Sequence, residues 1–340
     1  MTRLLFGTLT AAAILLSPGA YAAVPTDTII TATTLKASKP IYMLAADETH
    51  VAVAYEVLDN CIESWDVAAR KLVRFAEGSC ENSPTSEDTA VFGLTVAGSR
   101  LAWAGGLFTL HDWEWVATAT KAVTKELVVF GMEDEGEIYG PYGDGDLIVF
   151  SYADYERRAR GALYRVVVKP EAVIKNDWCD SCSVRLRADR VPLAVDTGRI
   201  AALTPSGSVE LLNALGQTLR TFPAKLTKDG RAALSGNHLA VQRRKAILVY
   251  DTDTGKVVRT VPIGTGRLED VSDGVLVYVS GRRIHLLRLV DGKKVSIRPP
   301  GSSAVLAQIE SAGLYYAYNV ASRKPGRVTF VPFDRLPFPP

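Results

Sequence analysis

The sequence predicts an all-β fold, a closed ring of seven four-stranded sheets, from three observations. Short Val/Ile/Leu/Tyr runs are punctuated by Gly, Asp and Asn, with no long segment of helical periodicity. One unit recurs: a small-residue strand, a tight turn, a very apolar strand, a second turn, an alternating strand, a Gly/Asp turn and an outer strand. The second strands of the copies start near Val51, Leu101, Leu147, Ile200, Leu239, Leu276 and Tyr315, at steps of 50, 46, 53, 39, 37 and 39 residues. Such steps match a propeller blade of ~40–50 residues. The prediction is therefore a seven-bladed β-propeller.

The first element is a targeting segment. Arg3 precedes the apolar run Leu4–Leu16, Ser17-Pro18-Gly19 breaks it, and Ala20-Tyr21-Ala22 places small residues at the cleavage-specifying positions. This is the layout of a secretory signal peptide over residues 1–22. No other stretch approaches the ~20 apolar residues that span a bilayer, so no transmembrane anchor is expected after processing. Residues 23–340 are expected to form a single propeller domain, secreted or held in the periplasm or cell envelope.

The blades follow. The fifth and sixth copies are the most regular. Ala232–Ser235, His238–Val241, Ala246–Asp251 and Lys256–Val261 are repeated by Glu269–Ser272, Val275–Tyr278, Ile284–Leu289 and Lys293–Ile297. Strands apolar on both sides, such as Leu147-Ile148-Val149-Phe150, suit sheets stacked so that each shields its neighbours. The last copy has three clear strands ending at Arg327–Val331. The β-branched segment Thr28–Thr33 is expected to supply its fourth and close the ring.

Ile62-Glu63-Ser64-Trp65-Asp66-Val67, followed by Arg70–Val73, resembles the third strand, Trp-Asp pair and fourth strand of a WD-repeat blade. Tyr250–Val258 resembles the equivalent stretch of bacterial quinoprotein-like and YVTN-type propellers. The resemblance implies an exported bacterial propeller. The Gly-His pair of WD repeats is absent, and the fourth strands lack the Trp typical of quinoprotein blades. That departure speaks against bound pyrroloquinoline quinone, and no cofactor is expected.

Lys and Arg total 39 against 37 Asp and Glu, a net charge of +2. Near-neutrality gives no case for specific nucleic-acid binding. The four cysteines of an exported chain, Cys61, Cys80, Cys179 and Cys182, read as disulfides rather than a metal site, because only one pair has CxxC spacing. No Gly-Xaa-Ser-Xaa-Gly elbow, phosphate-binding loop or His-Glu-Xaa-Xaa-His is present, and no catalytic or metal residue is assigned. His50 and His238 share a slot before the second strand with Arg100 and Arg199, which reads as a solvated turn position. His285, in mid-strand, is expected to face outward. Gly143-Asp144-Gly145-Asp146 offers oxygen ligands at alternate positions but lacks a full calcium loop. Trp113 and Trp115, two apart on a strand, point to the same face, either as inter-blade packing or as an aromatic platform.

Sorting loops by blade position gives the binding-face candidates. The turns between second and third strands carry Arg157, Arg158 and Arg160 in the third blade, and Arg243, Arg244 and Lys245 in the fifth. They carry Arg282 and Arg283 in the sixth and Arg323 and Lys324 in the seventh. In a propeller these turns emerge on the face that also bears the inter-blade connections. The resulting basic arc would attract an anionic surface, partly offset by Glu77, Glu81, Glu87 and the Glu133–Glu137 acids. The expected function is that of an exported, monomeric, non-catalytic scaffold. It would bind a protein or an anionic envelope polymer through this face. The alternative is an extracellular propeller enzyme, a glycan hydrolase or lyase or a quinoprotein-like dehydrogenase. Close, buried acids in the central channel would favour that alternative.

Overall fold

The computed structural model describes residues 32–55, 61–68, 71–75, 89–107, 113–120, 123–133, 136–154, 161–168, 178–227, 230–301, 305–321, 324–336 and 338. The chain begins with β1 (Thr33–Lys36). Blade 1 holds β2 (Ile41–Asp47), β3 (His50–Tyr55), β4 (Ile62–Asp66) and β5 (Lys71–Phe75). Blade 2 holds β6 (Thr89–Ala97), β7 (Arg100–Leu107), β8 (Trp113–Thr120) and β9 (Val123–Glu133). Blade 3 holds β10 (Gly136–Asp144), β11 (Leu147–Asp154), β12 (Ala162–Val166) and β13 (Ser183–Arg187). Blade 4 holds β14 (Val191–Asp196), β15 (Arg199–Leu203), β16 (Val209–Asn213) and β17 (Thr218–Phe222). Blade 5 holds β18 (Ala232–Ser235), β19 (His238–Arg243), β20 (Ala246–Asp251) and β21 (Val257–Pro262). Blade 6 holds β22 (Arg267–Ser272), β23 (Val275–Ser280), β24 (Arg283–Arg288) and β25 (Lys294–Ile297). Blade 7 holds β26 (Val305–Glu310), β27 (Gly313–Asn319) and β28 (Gly326–Pro332). Every sheet is an antiparallel four-stranded meander, and blade 7 has the order β1-β28-β27-β26.

The core is divided among the seams between blades. Each of the seven seams holds its own apolar cluster. Alternation along a second strand sends neighbouring residues to opposite seams. On β3, Val51, Val53 and Tyr55 pack toward blade 7 with Tyr315 and Val328. Ala52 and Ala54 pack toward blade 2 with Leu101 and Trp103. All five β3 residues from Val51 to Tyr55 are fully buried. The period-2 pleat, applied to a sheet covered on both sides, explains why these strands read as unbroken apolar runs.

The outer strand of blade 7 is β1, with Thr33 opposite Phe330 and Lys36 opposite Arg327. The expected segment, Thr28–Thr33, meets this strand only at Thr33, and residues 28–31 lie outside the described residues. The offset has a geometric reason. Only Ala37–Pro40 separate β1 from β2, so the paired strand has to abut that short connection. The connection is itself fixed. The Ser38 amide and hydroxyl and the Tyr55 hydroxyl all donate to the fully buried Glu63 carboxylate. The expected signal peptide, residues 1–22, also lies outside the described residues, and no described helix is long and apolar enough to cross a membrane.

His285 does not face outward. It is half-buried on β24, its ring stacked 4.7 Å from Tyr278 with Nδ1 2.7 Å from Ser296 Oγ. Burial, with Lys294 and Arg283 alongside, depresses its pKa to about 4. The sheet covers more of its outer strands than period-2 reasoning from one strand reveals.

Candidate functional site

First strands all run the same way, so their starts, the inter-blade connections and the second-to-third-strand turns share one face. Blades 5, 6 and 7 give that face a continuous basic arc. Arg243, Arg244 and Lys245 are exposed in the β19–β20 turn, Arg282 is exposed beside half-buried Arg283 in the β23–β24 turn, and Lys324 is exposed before β28. The connections add Arg267 before blade 6 and Arg298 before blade 7. No Asp or Glu occurs in residues 243–246, 262–267, 280–283, 297–305 or 319–326. Arg157, Arg158, Arg160 and Arg323 lie outside the described residues, as do Glu77, Glu81, Glu87 and Glu135. On the opposite face, exposed Glu48, Asp146, Asp253, Asp273 and Asp291 sit in the tight turns.

A central channel of about 510 Å³ opens on the basic face, lined by the first strands. Arg231 and Arg267 stand at this mouth with Tyr42; Met43, Phe92, Leu94 and Leu306 form apolar wall, and Tyr142 lies deeper, level with Asp270. The far end narrows to about 80 Å³ among Asp47, Asp144, Asp196, Asp270 and Glu310, contributed by five different blades. Burial pushes Asp270 up to about 7, against the amides of Ile309 and Val271 that hold it down. Burial, then the Asp270 charge, raises Glu310 well above the usual carboxylate range. Burial also raises Asp144 and Glu269.

Several of these carboxylates bond across seams. Asp144 accepts from the Thr197 amide at 2.5 Å, Asp196 from the Gly236 amide at 3.0 Å, and Asp270 from the Ile309 amide at 3.0 Å. Each reaches from one blade to the next and satisfies a backbone donor at the channel wall. The repeat alignment carried a signal for them. The last residue of the first strand is Asp47, Asp144, Asp196 or Glu310 in four copies, a position that sequence reasoning did not compare across blades.

Cys179 and Cys182 are disulfide-bonded, inside the seam between blades 2 and 3. The Cys179 amide donates to Val128 of β9 at 2.8 Å, which docks the loop onto blade 2. Cys61 is buried and disulfide-bonded, while Cys80 lies outside the described residues. Trp115 is half-buried beside Gly105 and packs on the blade 1–2 cluster. Nothing is described of the Trp113 side chain. His50 lies directly opposite Asp66, Nε2 to Oδ2 3.9 Å, and His238 opposite Asp251. Both histidines are half-buried strand starts rather than freely solvated turns. Gly145-Asp146 is a two-residue turn. Among the described residues no group of three His, Cys, Asp or Glu side chains is placed to hold a metal ion.

No family model and no curated protein sequence matches the chain. Solved structures do match. A chain of a mitotic checkpoint complex superposes with a TM-score of 0.55 at 17% identity, over 95% of this chain and 99% of that one. The β-propeller domain of Cps50 (Swd1) from Myceliophteria thermophila superposes with a TM-score of 0.53 at 11% identity, over 87% and 99%. The fold is a seven-bladed, WD40-like propeller. At these identities the likeness is one of architecture.

Proposed function

We propose that this chain is an exported, non-catalytic propeller that binds an acidic protein partner through its basic face. The observation that carries the reading is the acid-free run of turns and connections across blades 5 to 7, with Arg243, Arg244, Lys245, Arg282 and Arg283 at its centre. A nearly neutral molecule with one sign of charge gathered on one face attracts the opposite sign locally and orients the encounter. The fold neighbour from a mitotic checkpoint complex is part of a protein assembly, which suits a protein as partner. Export rests on the Leu4–Leu16 run ending at Ala20-Tyr21-Ala22, and the Cys179–Cys182 disulfide suits an oxidising compartment.

The test is fluorescence anisotropy with labelled poly-L-glutamate and labelled heparin. The variant R243Q/R244Q/K245Q should weaken poly-L-glutamate binding about tenfold, since exposed charge pairs contribute up to ~1 kcal/mol each. Unchanged binding overturns the reading. Tighter binding of heparin than of poly-L-glutamate reassigns the face to an anionic polymer.

A hydrolytic reading has behind it the close, buried acids that would favour an enzyme: Asp270 and Glu310 line the same end of the channel, and burial raises both above the usual carboxylate range. Against it, Asp270 accepts two backbone amides, Ile309 and Val271. Glu310 accepts from Gln308 at 2.8 Å. These bonds tie the carboxylates to the wall rather than to a reacting atom.

A further inference from the structure

The basic mouth of the channel differs from the basic arc around it. Arg267 is ion-paired with Glu269 and donates to the Val305 carbonyl, and Arg190 is paired with Glu210 at 2.9 Å. Arg231 is exposed, and among the described residues its guanidinium has no ion-pair or hydrogen-bond partner. Its charge nevertheless opposes the burial-driven rise in pKa of the Tyr142 hydroxyl on blade 3. It also opposes that of the Glu269 carboxyl on blade 6, where Arg267 does so more strongly. Arg231 is also one of the residues lining the opening of the channel. Beneath it, the 510 Å³ cavity falls within the size range of small-molecule sites, ~300–1,000 Å³. Met43 and Leu306 stand level with Arg231 on their strands, and with Phe92 and Leu94 beside them they form an apolar collar at the mouth.

We infer that the channel mouth is a ligand site for an amphipathic monocarboxylate, with the carboxylate on Arg231 and the apolar body in the channel. Arginine is suited to the head group, because its planar donors match a carboxylate bidentately. The hydroxyl of Tyr42, 51% exposed, offers a further donor at the rim, and that of Tyr142 lies two residues deeper, level with Asp270. The deeper wall sets the selectivity. Glu269 and Asp270 lie below the mouth, and a second negative charge carried down the channel meets them at low dielectric. The site therefore takes one charge at the rim and none below it. This inference does not depend on the basic arc.

The test is isothermal titration calorimetry on the full-length chain with 4-phenylbutyrate. The neutral 4-phenylbutanamide and the dicarboxylate suberate serve as comparisons. The expected result is saturable binding of 4-phenylbutyrate, with both comparison compounds at least about tenfold weaker, the loss typical of a missing charge-assisted pair. R231Q should lose at least about tenfold for 4-phenylbutyrate while melting close to the wild type, because the Arg231 guanidinium has no hydrogen-bond or ion-pair partner among the described residues. R243Q/R244Q/K245Q should bind 4-phenylbutyrate as the wild type does, even where it has lost poly-L-glutamate. Absence of 4-phenylbutyrate binding, equal affinity for the amide, or unchanged affinity in R231Q would each overturn the site and leave the basic-face reading standing.

Discussion

The side chain of Gln308 in the last blade grips the backbone of Ala46 in the first, accepting from its amide at 2.8 Å and donating to its carbonyl at 3.0 Å. Asn319 does the same to Ile41, at 2.8 and 3.0 Å. Gln242 repeats the device between blades 5 and 6, on the Leu268 amide and the Gly266 carbonyl. A primary amide suits this job because it offers one acceptor and donors together, matching the two groups of an exposed strand edge. Where the ring meets itself, the clasp is doubled. Removing Gln308 or Asn319 leaves backbone groups at a seam without partners, which costs about 1–3 kcal/mol. Q308A and N319A should each lower the midpoint of urea unfolding, and the double variant should lose more than either. An unchanged midpoint in the double variant would show that the seam does not depend on these amides.

The repeat was legible because physics imposes it on every blade. A sheet covered on both sides needs apolar residues at successive positions, and Val51–Tyr55, Leu239–Val241 and Val275–Val279 display them openly. Closure was harder to place. Thr28–Thr33 and Thr33–Lys36 are both β-compatible, and only the fixed length of Ala37–Pro40 selects the second. The channel carboxylates were missed for a different reason. Asp47, Asp144, Asp196 and Glu310 sit beside turns, where acids are common and read as solvated. Only the radial arrangement turns them inward. The same is true of Arg231, which in sequence is one more charge in a loop.

The Cys179–Cys182 bridge closes a very short loop, yet it holds that loop in the form that docks on Val128 of blade 2. Chain-entropy arithmetic for a loop this small gives ~2 kcal/mol. C179S/C182S should lower stability by about that amount in chemical denaturation. A variant as stable as the wild type would mean the loop is held by Trp178 and Val128 alone.

Glu310 should make stability fall as pH rises. Its folded pKa is raised by burial and by Asp270, so above ~4.3 the unfolded chain ionises this carboxyl while the folded ring resists. E310Q keeps the carbonyl that accepts from Gln308 and removes the charge. The variant should melt higher than the wild type at pH 8, by about 2 °C per ~1 kcal/mol relieved, and equally at pH 4. A lower melting point at pH 8 would mean that the charge serves a partner at the channel end.

His285 acts in the opposite direction. Held neutral down to about 4 by burial, Lys294 and Arg283, it binds no proton in the folded state where the unfolded histidine, near 6.5, already does. Its contribution is whole above about 6.5 and is lost as pH falls toward 4. Proton NMR should place its titration near 4, and K294Q should move it upward. A titration near 6.5 in the wild type would contradict the packed geometry on Tyr278.

The most direct test of the proposed binding face is a footprint. The full-length chain is saturated with poly-L-glutamate at low salt and mapped by hydroxyl-radical labelling, with poly-L-lysine as control. Protection should fall on Arg243–Lys245, Arg282–Arg283 and Lys324, and vanish at 300 mM salt. Protection centred on Asp146, Asp253, Asp273 and Asp291, or none on either face, would contradict it.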